Sequence, residues 1–290
     1  MLTPFRSNGS LDEPAVGRLI DHILAGGNQG VLAAGTTGEA VSMPLAMRVR
    51  LVEIAVEHSR GKAVVFGGIG DNSIAHSLEL AEAFFRAGAN AVVVHLPSYY
   101  PIDAAGMEYH LRAIADQVSG PLFLYNIPQT TKLSLPFEVI ERLSHHPRIA
   151  GIKDSEPDGE RQEKLARMFK SRADFAVFCG SVPFTSRAML AGADGYVPGV
   201  GNVAPAEVRA LMDRCVAGDA AGAAAAQARI DAVSAVYQKG RTVAQSLCAM
   251  KAVMELLGIA ERHVLPPLQS CSDEEMDVLR EGLREAGVEG

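Results

Sequence analysis

Short apolar, β-branched runs alternate with amphipathic stretches along most of the chain. Seven runs read as strands: Gln29–Ala34, Ala63–Gly68, Asn90–Leu96, Pro121–Asn126, Ile149–Lys153, Asp174–Cys179 and Gly195–Pro198. They are apolar without interruption, which suits strands buried on both faces, as in a parallel sheet covered by helices. Between them, apolar positions recur at helical spacing over Pro44–Ser59, Ser73–Ala87, Ala104–Val118, Leu135–His145 and Arg161–Lys170. Gly61, Gly88 and Gly120 follow three of these stretches and predict helix ends, where a left-handed residue is commonly needed. Strand–helix alternation calls for βα units and parallel pairing. An eighth strand has to be Met1–Pro4, and it is unusually short. Eight units close into a (β/α)8 TIM barrel; a doubly wound open sheet is the alternative on pattern alone.

After the last strand the chain reads as helix over Ala206–Val216, Ala220–Gln238, Val243–Leu257 and Asp273–Glu285. The Ala-rich piece Ala220–Ala228 reads as helical packing filler, since Ala is the best helix former. No Ser/Gly/Pro-rich linker divides the sequence. The predicted organisation is α/β: residues 1–203 supply the barrel strands and inter-strand helices. Residues 204–290 supply the final barrel helix and a C-terminal helical extension of the same domain.

Composition narrows the function more than the fold. Hydrophobic residues make up 48% and charged residues 21% of 290 positions, an ordinary globular balance. The net charge of −7 argues against a nucleic-acid backbone or an anionic membrane as a general partner. Cys179, Cys215, Cys248 and Cys271 form no CxxC pair and read as reduced, mostly buried thiols of a cytoplasmic protein. No signal peptide and no membrane span is expected.

In a barrel, the C-terminal strand ends and the loops after them face the active site. The run Ile149–Lys153 ends on Lys153, followed by Asp154 and Ser155. A lysine ending a buried apolar strand either snorkels to water or has its charged form disfavoured by burial, leaving amine free to attack a carbonyl. Tyr125, at the preceding strand end, either caps the core or relays protons. The loop Gly35-Thr36-Thr37-Gly38-Glu39 is either a plain turn or a nest aiming N–H groups and two hydroxyls at a carboxylate. Gly67–Gly70 and Gly199–Asn202 lack the GxGxxG spacing, so no nucleotide cofactor is expected. Of eight histidines only His95 falls at a strand end, which disfavours metal catalysis; no metal site is assigned.

The strand-end strings GTTGE, YNIP and GIKD occur in that order, with Tyr125 and Lys153 separated by 28 positions (153 − 125). The ordered set resembles the dihydrodipicolinate synthase/N-acetylneuraminate lyase family of class I, Schiff-base-forming pyruvate aldolases, over nearly the whole chain from Thr3-Pro4-Phe5 onward. The resemblance implies a carbon–carbon lyase with Lys153 as the Schiff-base lysine and Tyr125 as the proton relay. Thr36 and Thr37 then hold the pyruvate carboxylate, Thr37 also completing the relay. Gly35, Ser155, Gly180 and Val197 lie around the bound 2-oxo acid. Tyr99 matches a tyrosine that many members lend to a neighbouring subunit's site, which implies a homo-oligomer, dimer or tetramer. The partners implied are pyruvate and an aldehyde.

The departures from the family pattern bear on the aldehyde. Dihydrodipicolinate synthases carry an arginine two positions after the YNxP proline; here that position is Thr130 and the nearest cation is Lys132. A point-charge lysine at a shifted position does not replace a bidentate arginine. Neuraminate lyases carry acidic residues in the loop after the seventh strand, counting Met1–Pro4 as the first. The matching Gly180–Phe184 has none, and its Val182, Pro183 and Phe184 are expected to face whatever extends beyond the pyruvyl unit. Most members have more apolar residues ahead of the TPF string, so either the start is misassigned or a weak first strand closes the barrel. The expected activity is an aldolase acting on pyruvate or a 4-hydroxy-2-oxo acid. The alternatives are a 2-keto-3-deoxy sugar acid dehydratase or a dihydrodipicolinate synthase on the same lysine, and, from another class, a non-catalytic 2-oxo-acid-binding barrel.

Overall fold

Each of the seven apolar runs forms a strand in the computed structural model, which describes residues 1–288. They are β1 (Gly30–Ala33), β2 (Val64–Gly68), β3 (Ala91–His95), β4 (Leu122–Asn126), β5 (Ile149–Asp154), β6 (Ala176–Cys179) and β7 (Gly195–Tyr196). The sheet order follows the chain from β1 to β7. The pairings from β2 through β7 are parallel, as continuous apolar strands require.

The intervening and following segments form α1 (Glu13–Ala25), α2 (Leu45–Ser59), α3 (Ile74–Ala87), α4 (Ala104–Ala115), α5 (Pro128–Thr131) and α6 (Phe137–Leu143). They continue with α7 (Gly159–Phe169), α8 (Thr185–Ala191), α9 (Pro205–Val216), α10 (Ala220–Gln238), α11 (Val243–Leu256) and α12 (Asp273–Glu285). Local chemistry sets several boundaries. Asp158 caps α7 by accepting from the N–H groups of Glu160 and Arg161. Thr242 with Gln245, and Ser272 with Glu275, form capping boxes that start α11 and α12. Gly88 ends α3 with φ +101°. Gly120 does not end α4, which stops at Ala115; a β-carbon on Gly120 would run 2.6 Å from the Phe85 ring, so its role is clearance.

The elements group into two compact units. One comprises Met1–Val65, Gly199–Leu211 and the chain from Ala224 onward; the other comprises Phe66–Pro198 and Met212–Ala223. Phe5, Leu19, Ile20, Leu51 and Tyr237 are fully buried in the first, and Ile69, Leu80, Phe84, Leu96 and Phe175 in the second. All four cysteines are free and buried. Among the described residues no helix is long and apolar enough to cross a membrane.

The eighth strand expected at Met1–Pro4 does not form. Phe5 makes only an isolated antiparallel bridge to Leu11. Single long-range bonds hold the segment instead: the amino terminus donates to the Leu32 carbonyl at 2.6 Å, and the Leu2 N–H to Asn202 Oδ1 at 2.8 Å. Contacts of this kind pair polar groups of the segment without a ladder.

Candidate active site

The ends of β3 to β6 lie in one register line, His95↔Tyr125↔Lys153↔Phe178. Residues at one register level of parallel strands point to the same face. One level below on that face come Val93, Phe123, Gly151 and Ala176. Phe123 and Phe178 stack with centroids 5.2 Å apart although β5 runs between their strands. Gly151 makes this possible, since a β-carbon there would collide with the Phe123 ring. Phe66 closes the cluster edge-on, 5.2 Å from Phe123 and 6.1 Å from Phe178.

Lys153 rises past this aromatic floor. It is 9% exposed, and its Nζ stands 4.4 Å from the centroid of the Tyr125 ring, itself 5% exposed. An ammonium held over an aromatic face is attracted by the ring quadrupole. His95 flanks Tyr125 on the other side, centroids 6.5 Å apart. Its Nδ1 lies 2.7 Å from the Leu96 carbonyl, so that nitrogen carries the proton. Buried His110 on α4 is pushed below the ordinary imidazole range by desolvation and, second, by His95.

The opposite faces of β4 and β5 carry polar groups sealed from water. Asn126 and Asp154 are fully buried. Asp154 Oδ2 accepts from Arg161 at 2.9 Å and Asn126 at 3.0 Å; Oδ1 accepts from Gln162 at 3.0 Å and the Glu156 N–H at 2.9 Å. Arg161 also donates to the Leu135 carbonyl, whose own N–H donates to Asn126 Oδ1. The network ties the ends of β4 and β5 to α7, and therefore fixes Tyr125 and Lys153 from behind. Sequence reasoning passed over it: the available signal was that Asn126 and Asp154 directly follow Tyr125 and Lys153.

The other expected residues are placed as follows. The Ser155 N–H donates to Asn126 O at 2.8 Å and the Gly180 N–H to Asp154 O at 2.6 Å, extending the ladder past the strand ends. A β-carbon on Gly180 would collide with Ser155 Oγ and lie 3.0 Å from Lys153 Cε. Val197 adds one rung beyond β7 through its N–H to Cys179 O. Tyr99 is 79% exposed with its ring edge-on to Tyr100. Val182 is buried, and Phe184 packs against Gly159 and Arg187, so Val182 and Phe184 serve packing in addition to any contact with substrate.

Gly35, Thr36 and Thr37 belong to the first unit. Their loop is bounded by two left-handed non-glycine residues, Ala34 with φ +53° and Glu39 with φ +57°. Glu39 N–H closes the turn on Thr36 O, and Thr3 Oγ1 donates to Gly38 O at 2.7 Å. Among the described residues the N–H groups and hydroxyls of Thr36 and Thr37 bond no protein group, which suits an anion-binding nest. Among the described residues no cluster of three or more His, Cys, Asp or Glu can hold a metal ion.

A buried lysine and a tyrosine thus stand at adjacent strand ends of a parallel α/β sheet. The chain belongs to the dihydrodipicolinate synthetase family, whose profile matches residues 1–286. It is therefore a carbon–carbon lyase of the class I aldolase type that uses pyruvate. The 4-hydroxy-tetrahydrodipicolinate synthase of Pseudomonas aeruginosa is 32% identical over 289 residues, 99% of this chain and 97% of that protein. Among solved structures, dihydrodipicolinate synthase from Thermotoga maritima is 28% identical with a TM-score of 0.91, covering 99% of this chain and 97% of that one. YagE, a prophage protein of the same family from E. coli K12 in complex with pyruvate, is 26% identical with a TM-score of 0.92, covering 99% and 96%.

Proposed function

We propose that Lys153 is the nucleophile that condenses pyruvate with an aldehyde lacking a second carboxylate. The Lys153 amine adds to the C2 carbonyl of pyruvate, and the carbinolamine loses water to give the imine. Loss of a C3 proton gives the enamine, whose C3 bonds to the aldehyde carbon while the aldehyde oxygen takes up a proton. Water then releases the 4-hydroxy-2-oxo acid and the amine. Tyr125, with Thr37, moves the protons; Thr36 and Thr37 hold the carboxylate; Gly35, Ser155, Gly180 and Val197 shape the space around it. The observation that carries this reading is the buried Lys153 Nζ, 4.4 Å from the Tyr125 ring centroid at paired strand ends.

Completion of the sheet as a closed (β/α)8 barrel goes with the same reading, residues 1–203 as its strands and inter-strand helices and 204–290 as its final helix and extension. So does a cytoplasmic homo-oligomer in which Tyr99 enters a neighbouring subunit's site; the exposure of Tyr99 and Tyr100 supports it. Thr130 supports an acceptor without a second carboxylate. The second reading, 4-hydroxy-tetrahydrodipicolinate synthase, is favoured by the full-length match to curated relatives of that name. Borohydride reduction with pyruvate followed by peptide mass spectrometry tests the nucleophile. The adduct is expected on Lys153, and an adduct on another lysine, or none, overturns the proposal.

A further inference from the structure

Glu39 and Lys251 form an ion pair at 2.6 Å with almost no access to water, at 3% and 2% exposure. Removing both charges from water is costly, and a hydrophobic pair of similar volume is often as stable, so such a pair is informative for what it orients. Each partner is also tied to a backbone group. Lys251 Nζ also donates to the His263 carbonyl at 2.6 Å and stands 3.9 Å over the Phe5 ring. The second Glu39 oxygen accepts from the Leu265 N–H at 2.8 Å. Burial pushes the Lys251 ammonium down to about 8 against the opposing pull of Glu39.

Glu39 closes the GTTGE loop. It sits in the left-handed region, a conformation that is unfavourable for a non-glycine residue and persists only where surroundings enforce it. From there its N–H closes on Thr36 O, and its own carbonyl accepts from the Ser42 N–H. The side chain is thus pulled by α11 and by Leu265 while the backbone of the same residue shapes Thr36 and Thr37.

We propose that the Glu39–Lys251 pair is the positioning device of the carboxylate-binding loop, through which α11 sets the affinity for the 2-oxo acid. The proposal rests on Thr36 and Thr37 holding the pyruvate carboxylate. Glu39 and Lys251 are positioning residues: they act through the loop and not on the reacting atoms.

The test needs no knowledge of the aldehyde. Borohydride trapping on Lys153 is titrated with pyruvate in the wild type, Lys251→Met and the double variant Glu39→Gln/Lys251→Met. In Lys251→Met the pyruvate concentration for half-maximal trapping is expected to rise about tenfold or more, the worth of one well-placed charged contact, with the maximal trapped fraction kept. The double variant, relieved of the unpaired carboxylate, is expected to regain thermal stability but keep the raised half-maximal concentration. It also carries the test if Lys251→Met fails to fold. Wild-type trapping with an unchanged half-maximal concentration in the variants, or one that recovers together with stability, overturns this proposal alone. A wild type that forms no adduct overturns the active-site reading as well.

Discussion

Gly180 and Ser155 are packed so closely that a methyl group on Gly180 would collide with Ser155 Oγ and press on Lys153 Cε at 3.0 Å. The absent side chain is therefore part of how the lysine is placed. Gly180 is not among the residues with positive φ, so alanine is compatible with its backbone and any effect of substitution is steric.

Gly180→Ala is expected to fold with near-native thermal stability and to lose about 10²-fold in kcat/KM, as small displacements of a reacting group do. Gly180→Ala/Ser155→Ala, which removes the colliding hydroxyl, is expected to recover part of that loss. A double variant no better than the single would show that Ser155 does not transmit the clash.

Lys153→Ala and Lys153→Arg are both expected to abolish turnover and borohydride trapping without loss of helical circular dichroism, because a guanidinium stays protonated and forms no imine. Tyr125→Phe keeps the ring beneath the ammonium and removes only the hydroxyl. Trapping at saturating pyruvate is expected to persist while turnover slows by roughly 10²–10⁴-fold. A slowing of less than about tenfold would assign Tyr125 to packing.

Much of this site was legible in the chain because a parallel sheet buries its strands on both faces. Such strands read as unbroken apolar runs, and a polar residue ending one, such as Lys153, stands out. What depends on distant residues did not show. Met1–Pro4 is held by Leu32 and Asn202 and not by a ladder. Glu39 meets Leu265 across 226 positions, a distance no local pattern encodes. Gly120 looked like a helix end from its position but makes room for Phe85, a packing reason that sequence spacing does not distinguish from a cap.

Asp154 accepts from Arg161, Asn126, Gln162 and the Glu156 backbone with no exposure to water. Asp154→Ala leaves the Arg161 guanidinium without its closest carboxylate and is expected to cost about 3–5 kcal/mol in urea unfolding. Asp154→Asn keeps the shape and some acceptors and is expected to cost less. Equal losses from the two substitutions would mean that charge, not hydrogen-bond geometry, holds the strand ends.

Burial raises all four thiols, Cys179 and Cys271 to about 11. A raised thiol pKa means that the nucleophilic thiolate is scarce at pH 8. Native protein is expected to resist iodoacetamide at that pH without losing activity, and denatured protein to gain four adducts. Inactivation with labelling at Cys179, one residue before Gly180, would show that this segment opens.

Choice of aldehyde is where the chain departs most from its named relatives. Thr130, at the position of the family's arginine, is exposed and turns its hydroxyl to the Ile127 carbonyl. Lys132 is tied to the Gln129 carbonyl at 2.9 Å. Arg187, the nearest cation after the Val182–Phe184 turn, is paired with Glu163 at 2.6 Å. Neither segment offers an uncommitted cation for a second carboxylate. The turn also carries no carboxylate to grip hydroxyl groups, and each one left unpaired on binding costs about 1–3 kcal/mol. Short or hydrophobic aldehydes escape both penalties. They are expected to be accepted with pyruvate at higher kcat/KM than aspartate semialdehyde or N-acetylmannosamine. Side-by-side assays of a short aliphatic aldehyde, an aromatic aldehyde and those two compounds decide the matter. A clear preference for aspartate semialdehyde would restore the 4-hydroxy-tetrahydrodipicolinate synthase reading and require a cation from another loop; a preference for N-acetylmannosamine would require a carboxylate from elsewhere.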